Sequence, residues 1–211
     1  MITCLTIHGM EEHFRNCNAS ASKTNAQHYQ PLRLAIDIIG AKYCRGDDEL
    51  DVLHLDIQLR YTNVSEQSII LYRGSKLILR QFISRNEKDA LDGIHEAELK
   101  FTVYPLGVPT IKGGVAPLPA SFVILRSGKS YEIRSSTTII VLRNDEDRIP
   151  GAIGSGDHVL QVKVATWTGS KELAERLRKR WQRYGLLWYE PVISQPLPFK
   201  VEKRRVVENC P

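Results

Sequence analysis

The chain has 211 residues, of which 42% are hydrophobic and 25% are charged, the balance of an ordinary globular protein. A chain of this length can fold without a metal ion or a disulfide, and all-β sandwiches of this size form single domains. The longest apolar runs are strand-sized, which excludes a membrane-spanning helix, so we expect a soluble protein.

Positive charge is concentrated in the last fifth of the chain. The formal net charge is +5, and residues 171–211 carry ten Lys or Arg against five Asp or Glu. The rest of the sequence is balanced in charge. Any basic binding surface is therefore expected in the C-terminal segment.

Residues 1–30 are predicted to be a loose polar leader, followed by a single domain over residues 31–207. Glu11, Glu12 and Arg15 lie where a signal peptide would carry an unbroken apolar stretch. The expected compartment is therefore the cytoplasm by default, or an exported location if the true start lies upstream.

Alternation of apolar and polar residues predicts about nine β-strands. In residues 51–61 every second side chain is apolar, which places one set in a core and the other in water. That apolar set is Leu53, Leu55, Ile57, Leu59 and Tyr61. The same alternation recurs in residues 97–103 and 160–164. In the second of these segments, Gln161 and Lys163 are predicted to face water. Shorter candidate strands cover residues 32–39, 68–72, 76–83, 121–125, 131–142 and 197–203.

The connections between these strands favour an antiparallel sheet. Turn-forming residues occupy positions 63–67 and 126–130, and four prolines and three glycines in residues 105–119 predict a long loop. Strands do not alternate with helices as they would in a parallel sheet. The predicted fold is an immunoglobulin-like antiparallel β-sandwich of about nine strands, with one amphipathic helix near the C-terminus.

That helix is predicted over residues 170–184. Ser170 supplies a capping hydroxyl, and Gly185 follows the last helical residue. Leu173, Ala174, Leu177, Trp181 and Tyr184 fall on one apolar stripe. Arg176, Lys179, Arg180 and Arg183 gather on another arc, which is either a solvated face or a candidate anion-binding face.

No catalytic or nucleotide-binding motif is readable. Gly128-Lys129-Ser130 lacks the first glycine of a phosphate-binding loop and is interpreted as a hairpin turn. The six histidines, at positions 8, 13, 28, 54, 95 and 158, are isolated and are interpreted as structural. Asn63-Val64-Ser65 fits the glycosylation sequon, which matters only in a glycosylating secretory route.

The sequence also predicts neither a metal site nor a cofactor. The cysteines at positions 4, 17, 44 and 210 lack the paired spacing of zinc ligands and are interpreted as free thiols. Asp47, Asp48, Glu49 and Asp51 form the densest acidic cluster, which is interpreted as a solvated loop rather than a calcium site.

Three segments resemble bacterial immunoglobulin-like domains. Residues 55–71 (LDIQLRYTNVSEQSIIL) resemble their opening hairpin, and residues 125–133 (LRSGKSYEI) resemble the turn and strand that follow. Residues 156–164 (GDHVLQVKV) resemble their late strand, with His158 where a tyrosine is usual. The nearest named family is the intracellular proteinase inhibitor domain of bacilli, matched over about residues 50–166. This resemblance implies the sandwich fold, but no inhibitory residue carries over because no reactive-loop motif is matched.

The segment from residue 173 onward resembles only the ends of uncharacterised bacterial proteins. The expected function is therefore that of a non-catalytic binding protein, whose partner is another protein or a carbohydrate. The first alternative is an anion-binding module for nucleic acid or an acidic lipid surface, using residues 176–183 with Lys200, Lys203, Arg204 and Arg205. The second is a protease-inhibitor-like domain, and the third is an enzyme whose site is assembled from distant residues.

Overall fold

The computed structural model describes residues 30–46, 49–73, 77–103, 121–144, 149–203 and 207–208. The predicted leader and the predicted loop over residues 105–119 lie outside this part, apart from residue 30. The elements in chain order are β1 (Leu32–Arg45), β2 (Leu50–Asn63), β3 (Ile69–Tyr72), β4 (Leu77–Ser84), α1 (Glu87–Asp92), β5 (Ala97–Val103), β6 (Phe122–Leu125), β7 (Ser130–Leu142), β8 (Gly156–Ala165), α2 (Lys171–Trp181), β9 (Leu186–Trp188), β10 (Val192–Ile193), β11 (Leu197–Val201) and β12 (Val207–Glu208).

The strands form three sheets, and the fold is the mainly-β sandwich that the sequence predicts. The first sheet has the order β12-β1-β2-β7, and the second has the order β10-β8-β4-β5 with β11 also paired to β8. A small third sheet has the order β6-β3-β9. Two pairs, β1 with β12 and β3 with β9, are parallel rather than antiparallel. Within the described residues, no helix is long and apolar enough to cross a membrane.

The predicted alternation of β2 is confirmed. The apolar side chains of residues 53, 55, 57, 59 and 61 are all buried in the core between the two large sheets. Leu160, Val162 and Val164 of β8 are buried as predicted, but the prediction that Gln161 faces water is wrong. Both faces of this part of β8 are covered, and the Gln161 side-chain amide donates to the carbonyl of Ser194 at 3.3 Å.

Asn63 joins the small sheet to the end of β2. Its amide nitrogen donates to the carbonyl oxygens of Gln67 and Leu125, each at 2.8 Å, and its amide oxygen accepts from the backbone of Ser65 at 2.9 Å. The side chain is fully buried. Glycosylation at this sequon is therefore excluded in the folded protein, because the acceptor nitrogen is buried and both its hydrogens are used.

Two polar atoms in the core have no hydrogen-bond partner among the described residues: the Tyr61 hydroxyl and the Gln81 side-chain nitrogen. The Gln81 side-chain oxygen, in contrast, accepts a hydrogen bond from the Thr137 hydroxyl at 2.7 Å. Burial raises the pKa of the Tyr61 phenol well above its ordinary value, so the ring remains neutral.

We expect Tyr61→Phe to leave the fold intact and to raise the free energy of unfolding by about 1 kcal/mol. The substitution keeps the ring in its packed position and removes a buried hydroxyl that gains no hydrogen bond. Urea denaturation of the two proteins measures the difference. A decrease of more than about 1 kcal/mol in the free energy of unfolding would show that the Tyr61 hydroxyl forms a hydrogen bond.

The prediction that all four cysteines are free thiols is wrong. Cys44, in β1, is buried and disulfide-bonded. The other cysteines, Cys4, Cys17 and Cys210, lie outside the described residues. A bond between positions far apart in the chain leaves no spacing pattern in the sequence, which is why the bond was not predicted.

Candidate binding cleft

The outer face of the small sheet carries a row of three apolar side chains, one from each strand. Leu187 of β9 pairs with Ile70 of β3, and Ile70 pairs with Ile124 of β6. The exposed fraction rises along this row from 1% for Leu187 to 3% for Ile70 and 52% for Ile124. Whatever covers this face therefore covers β9 and β3 and leaves β6 open.

Helix α2 is that cover. Its Leu177 packs with Ile70 and Leu187 in a second, smaller core, and Leu173 and Trp181 pack against the same cluster. This is the packing that the apolar stripe of the helix predicts. The N-terminus is fixed by Ser170, whose side chain accepts a hydrogen bond from the backbone of Leu173 at 3.2 Å.

The helix ends at Trp181, three residues earlier than predicted. Tyr184 closes the last turn by donating its backbone N–H to the carbonyl of Trp181 at 2.8 Å. Gly185 then adopts a φ of 150°, and a Cβ there would collide with the carbonyl oxygen of Ser68. The backbone therefore leaves the helix here and continues into β9 alongside β3.

An open apolar cleft lies where the helix stops short of β6. Its volume is about 340 Å³, and the described residues that line it are apolar or aromatic: Ile70, Phe122, Ile124, Trp181 and Tyr184. Tyr184 was predicted to lie on the buried stripe of the helix, but it is 50% exposed because the helix ends before it. An apolar surface of this kind is typical of a binding site in a protein.

The inner wall of the cleft is a cluster of packed aromatic rings. The Phe122 ring meets Trp181 edge to face at 4.7 Å between centroids and Tyr72 at 5.4 Å. Trp167 packs on Tyr72, also at 5.4 Å, and its indole N–H donates to the carbonyl of Ser170 at 3.0 Å. These contacts hold the wall in one conformation, so the cleft is largely formed before any ligand arrives.

The four predicted anion-binding residues are all exposed, but they do not converge on one site. Arg183 packs its guanidinium over the Tyr184 ring at 4.7 Å, beside the apolar cleft. Lys179 lines a separate cleft of about 280 Å³, together with Glu175 and Arg178. Among the described residues, no side chain forms an ion pair with any of the four: Arg176, Lys179, Arg180 and Arg183.

The two glutamates of the helix offset only part of this positive charge. Glu175 accepts a hydrogen bond from the hydroxyl of Tyr189, which raises the pKa of that phenol, and it is not paired with Lys179 as its spacing suggests. Glu172 lies in the first turn, where hydrogen bonds from its own backbone N–H and from Ser170, with smaller contributions from the charges of Lys171 and Arg176, lower the pKa of its carboxyl group. The exposed face of α2 therefore keeps a net positive charge.

The described histidines have structural partners. His158, at the start of β8, is buried between the Glu96 carboxylate at 2.9 Å and the carbonyl of Gly154 at 3.0 Å. His95 lies 3.0 Å from the hydroxyl of Ser84, and His54 lies 3.3 Å from that of Thr138. His8, His13 and His28 are outside the described residues.

The acidic cluster and the C-terminal basic cluster are each described only in part. Asp51 is buried and pairs with Arg143 at 3.2 Å, whereas Asp47 and Asp48 lie outside the described residues. Lys200 lies 4.0 Å from Glu202, and Arg204 and Arg205 are not described. Within the segments that the structure covers, no three His, Cys, Asp or Glu side chains are grouped to hold a metal ion.

Comparison with known proteins shows no family for this chain. No protein-family model matches it, and no curated protein matches it. Among solved structures, the chain is similar to the X-ray structure of a Northeast Structural Genomics Consortium target, SoR45, with 8% sequence identity. That similarity covers 85% of this chain and 94% of the other at a TM-score of 0.36, which is too low to support an argument about function.

Proposed function

We propose that this protein is a non-catalytic binding protein with an immunoglobulin-like sandwich, and that the cleft between α2 and β6 holds a segment of a partner protein. The segment is expected to carry an apolar side chain flanked by acidic residues. The observation that carries this proposal is the uncovered end of the apolar row, where Ile124 is half exposed beside a wall of packed aromatic rings.

The apolar part of the proposal follows from the lining of the cleft. Covering the side chain of Ile124, which is 52% exposed, would contribute about 0.8–1.5 kcal/mol, about half the value for burying a fully exposed side chain. Trp, Tyr and Arg are the residues that most often dominate protein–protein binding energy. All three occur together here as Trp181, Tyr184 and Arg183.

The acidic part follows from the charge of the helix. Residues 171–184 contain six Lys or Arg and two Asp or Glu, and one of the two acids, Glu175, is engaged by Tyr189. Exposed charges at the rim of an interface mainly set the rate of association and exclude partners of the same sign. An acidic partner is therefore favoured over a basic or a neutral one.

Polyanion binding is the second candidate, and the excess positive charge of α2 favours it. Base stacking needs exposed aromatic rings near basic groups, and Tyr184 beside Arg183 is one such pair. A continuous basic surface would support this function better, but Lys179 lines one cleft whereas Arg183 packs over Tyr184, which lines the other. We therefore rank it below docking of a protein segment.

A panel of defined ligands separates the two candidates. Fluorescein-labelled twelve-residue peptides would carry either a central Phe-Leu pair with acidic flanks, the same pair with basic flanks, or acidic residues without the pair. Single-stranded DNA of twelve nucleotides completes the panel. We expect fluorescence anisotropy to detect binding only of the acidic peptide that carries the Phe-Leu pair. Its Kd should change less than about tenfold between about 50 and 200 mM salt.

Equal binding by DNA and by both acidic peptides, with affinity falling steeply as salt rises, would contradict the proposal and support polyanion binding. Binding by none of the probes would also count against the cleft as a peptide site. Reversing the charge of Arg180 and Arg183 with glutamate provides a second discriminator. We expect this change to weaken binding of the acidic peptide by about tenfold and to change the free energy of unfolding by less than about 1 kcal/mol, because both side chains are exposed and neither forms an ion pair with a described residue.

A further inference from the structure

We infer that the partner segment binds as an added β-strand on the open edge of β6, where the backbone groups of Phe122 and Ile124 are its hydrogen-bond partners. The inference rests on the proposed function, because it specifies how the same acidic, apolar-centred segment fills the same cleft. In the described part of the chain, β6 pairs with no strand other than β3 and so forms an edge of the small sheet. An extended segment added to such an edge gains main-chain hydrogen bonds as well as side-chain contacts.

One backbone hydrogen bond shows which groups of β6 point to the open edge. The N–H of Arg73 donates to the carbonyl of Ser121 at 2.9 Å, one residue beyond the paired ends of β3 and β6. In antiparallel strands, hydrogen-bonded pairs alternate with pairs that are not hydrogen-bonded. Val123 therefore directs its backbone groups to β3, whereas Phe122 and Ile124 direct theirs to the open edge.

The other side of β3 gives the same result independently. The N–H of Leu186, where β9 begins, donates to the carbonyl of Ser68 at 2.8 Å. Backbone groups two residues apart in a strand point the same way, so Ile70 also directs its N–H and carbonyl to β9. Its pair with Ile124 is therefore not hydrogen-bonded, and the backbone groups of Ile124 point away from β3.

The two residues with edge-facing backbone groups also carry side chains that line the cleft. Phe122 and Ile124 lie two positions apart, so both side chains are on the face of the small sheet that α2 partly covers. A strand paired with β6 would place every second side chain on this face. Those side chains would lie beside Ile124 and continue the apolar row from Leu187 and Ile70. One extended segment can therefore use the backbone edge and the apolar cleft together.

β6 lacks the features that protect the edge strands of the two large sheets. Edge strands are commonly kept from pairing by charged residues, proline or a bulge. β5 carries the exposed residues Glu98 and Lys100, and β7 carries Glu132, which pairs with Arg60 at 2.8 Å. β6 has the sequence FVIL, without a charge or a proline, and its register with β3 is continuous. Its length of four residues limits pairing to one short segment.

A set of N-methylated peptides tests the added strand and leaves the protein unchanged. The parent is the acidic twelve-residue peptide with the central Phe-Leu pair, and each of its four central amides is methylated in turn. In a paired strand, alternate N–H groups point to the neighbouring strand. We expect methylation at two alternate positions to weaken binding by about tenfold or more, because a hydrogen bond is lost and the methyl group meets β6. Methylation at the two positions between them should change Kd less than about threefold.

The pattern separates failure of this inference from failure of the proposed function. If the parent peptide binds, but methylation is tolerated at all four positions or weakens binding equally at all four, the added strand is overturned and the cleft remains a binding site. A helical or irregular segment would give no alternation. If the parent peptide does not bind, the proposed function is overturned and the inference with it.

Hydrogen exchange measured by NMR gives a second readout, from the protein side of the interface. In the free protein, the amide of Val123, bonded to β3, should exchange more slowly than those of Phe122 and Ile124 at the open edge. Saturation with the parent peptide should slow exchange at Phe122 and Ile124 by about tenfold or more and leave the control amide of Leu91 in α1 unchanged. Unchanged exchange at Phe122 and Ile124 in the complex would contradict the inference.

Discussion

Replacing Ile57 with alanine is expected to lower the free energy of unfolding by about 2–5 kcal/mol. Ile57 is fully buried at the centre of β2, opposite Ile38 of β1 and Ser135 of β7. The smaller side chain loses apolar contacts and leaves a cavity that the flanking strands of a large sheet cannot readily fill. Chemical denaturation followed by circular dichroism measures the effect.

The control for this prediction is the next residue in the same strand. Gln58 points to the opposite, outer face of the sheet, so Gln58→Ala should change the free energy of unfolding by no more than about 0.5 kcal/mol. Similar losses for both variants would contradict the assignment of one buried and one outer face to β2.

Leu177→Ala is expected to cost about 2–4 kcal/mol, because Leu177 joins α2 to Ile70 and Leu187 beneath it. Trp181→Ala should cost less than Leu177→Ala although the side chain is larger, since Trp181 is only partly buried and borders the cleft. Thermal denaturation of both variants shows which one loses more stability, and Arg176→Ala is the exposed control on the same helix. A greater decrease in stability for Trp181→Ala than for Leu177→Ala would indicate that Trp181 is more deeply buried than in the structure.

The long strands could be predicted because their side chains alternate over enough residues to reveal the period. β2, β5 and β8 were located from that pattern, and β2 is confirmed residue by residue. The short elements α1, β9 and β10 were missed. They have six, three and two residues, too few for any periodicity to appear. Asn86 and Gly93, which cap α1, are the signals that could have revealed that helix.

The packing partner of the helix could be predicted only in part. The apolar stripe correctly indicated that Leu173, Leu177 and Trp181 would be buried or partly buried, but it could not show which sheet they would meet. The cleft depends on that choice, since its lining comes from β3, β6 and the residues around the end of α2. The half-exposed Tyr184 depends further on the contact between Gly185 and Ser68, which links residues far apart in the sequence.

Two other exposed apolar side chains, those of Leu91 and Ile94, provide a comparison with the cleft. Leu91 and Ile94, at and just beyond the end of α1, are 66% and 59% exposed. They are at least as accessible as Ile124, but they do not line the aromatic cleft. If binding were non-specific adsorption to exposed apolar residues, substitution of Leu91 would weaken it as much as substitution of Ile124. If the cleft is a specific site, only substitution of Ile124 should weaken binding.

The affinity of the acidic Phe-Leu peptide for two matched variants, Ile124→Asp and Leu91→Asp, tests the binding cleft most directly. Each substitution places a carboxylate at an exposed apolar position, so neither should unfold the protein, and circular dichroism checks this. We expect Ile124→Asp to weaken binding at least about tenfold, because the new charge must be desolvated and repels the acidic flanks, while Leu91→Asp leaves Kd unchanged. Equal weakening by both variants, or no weakening by Ile124→Asp, would contradict it.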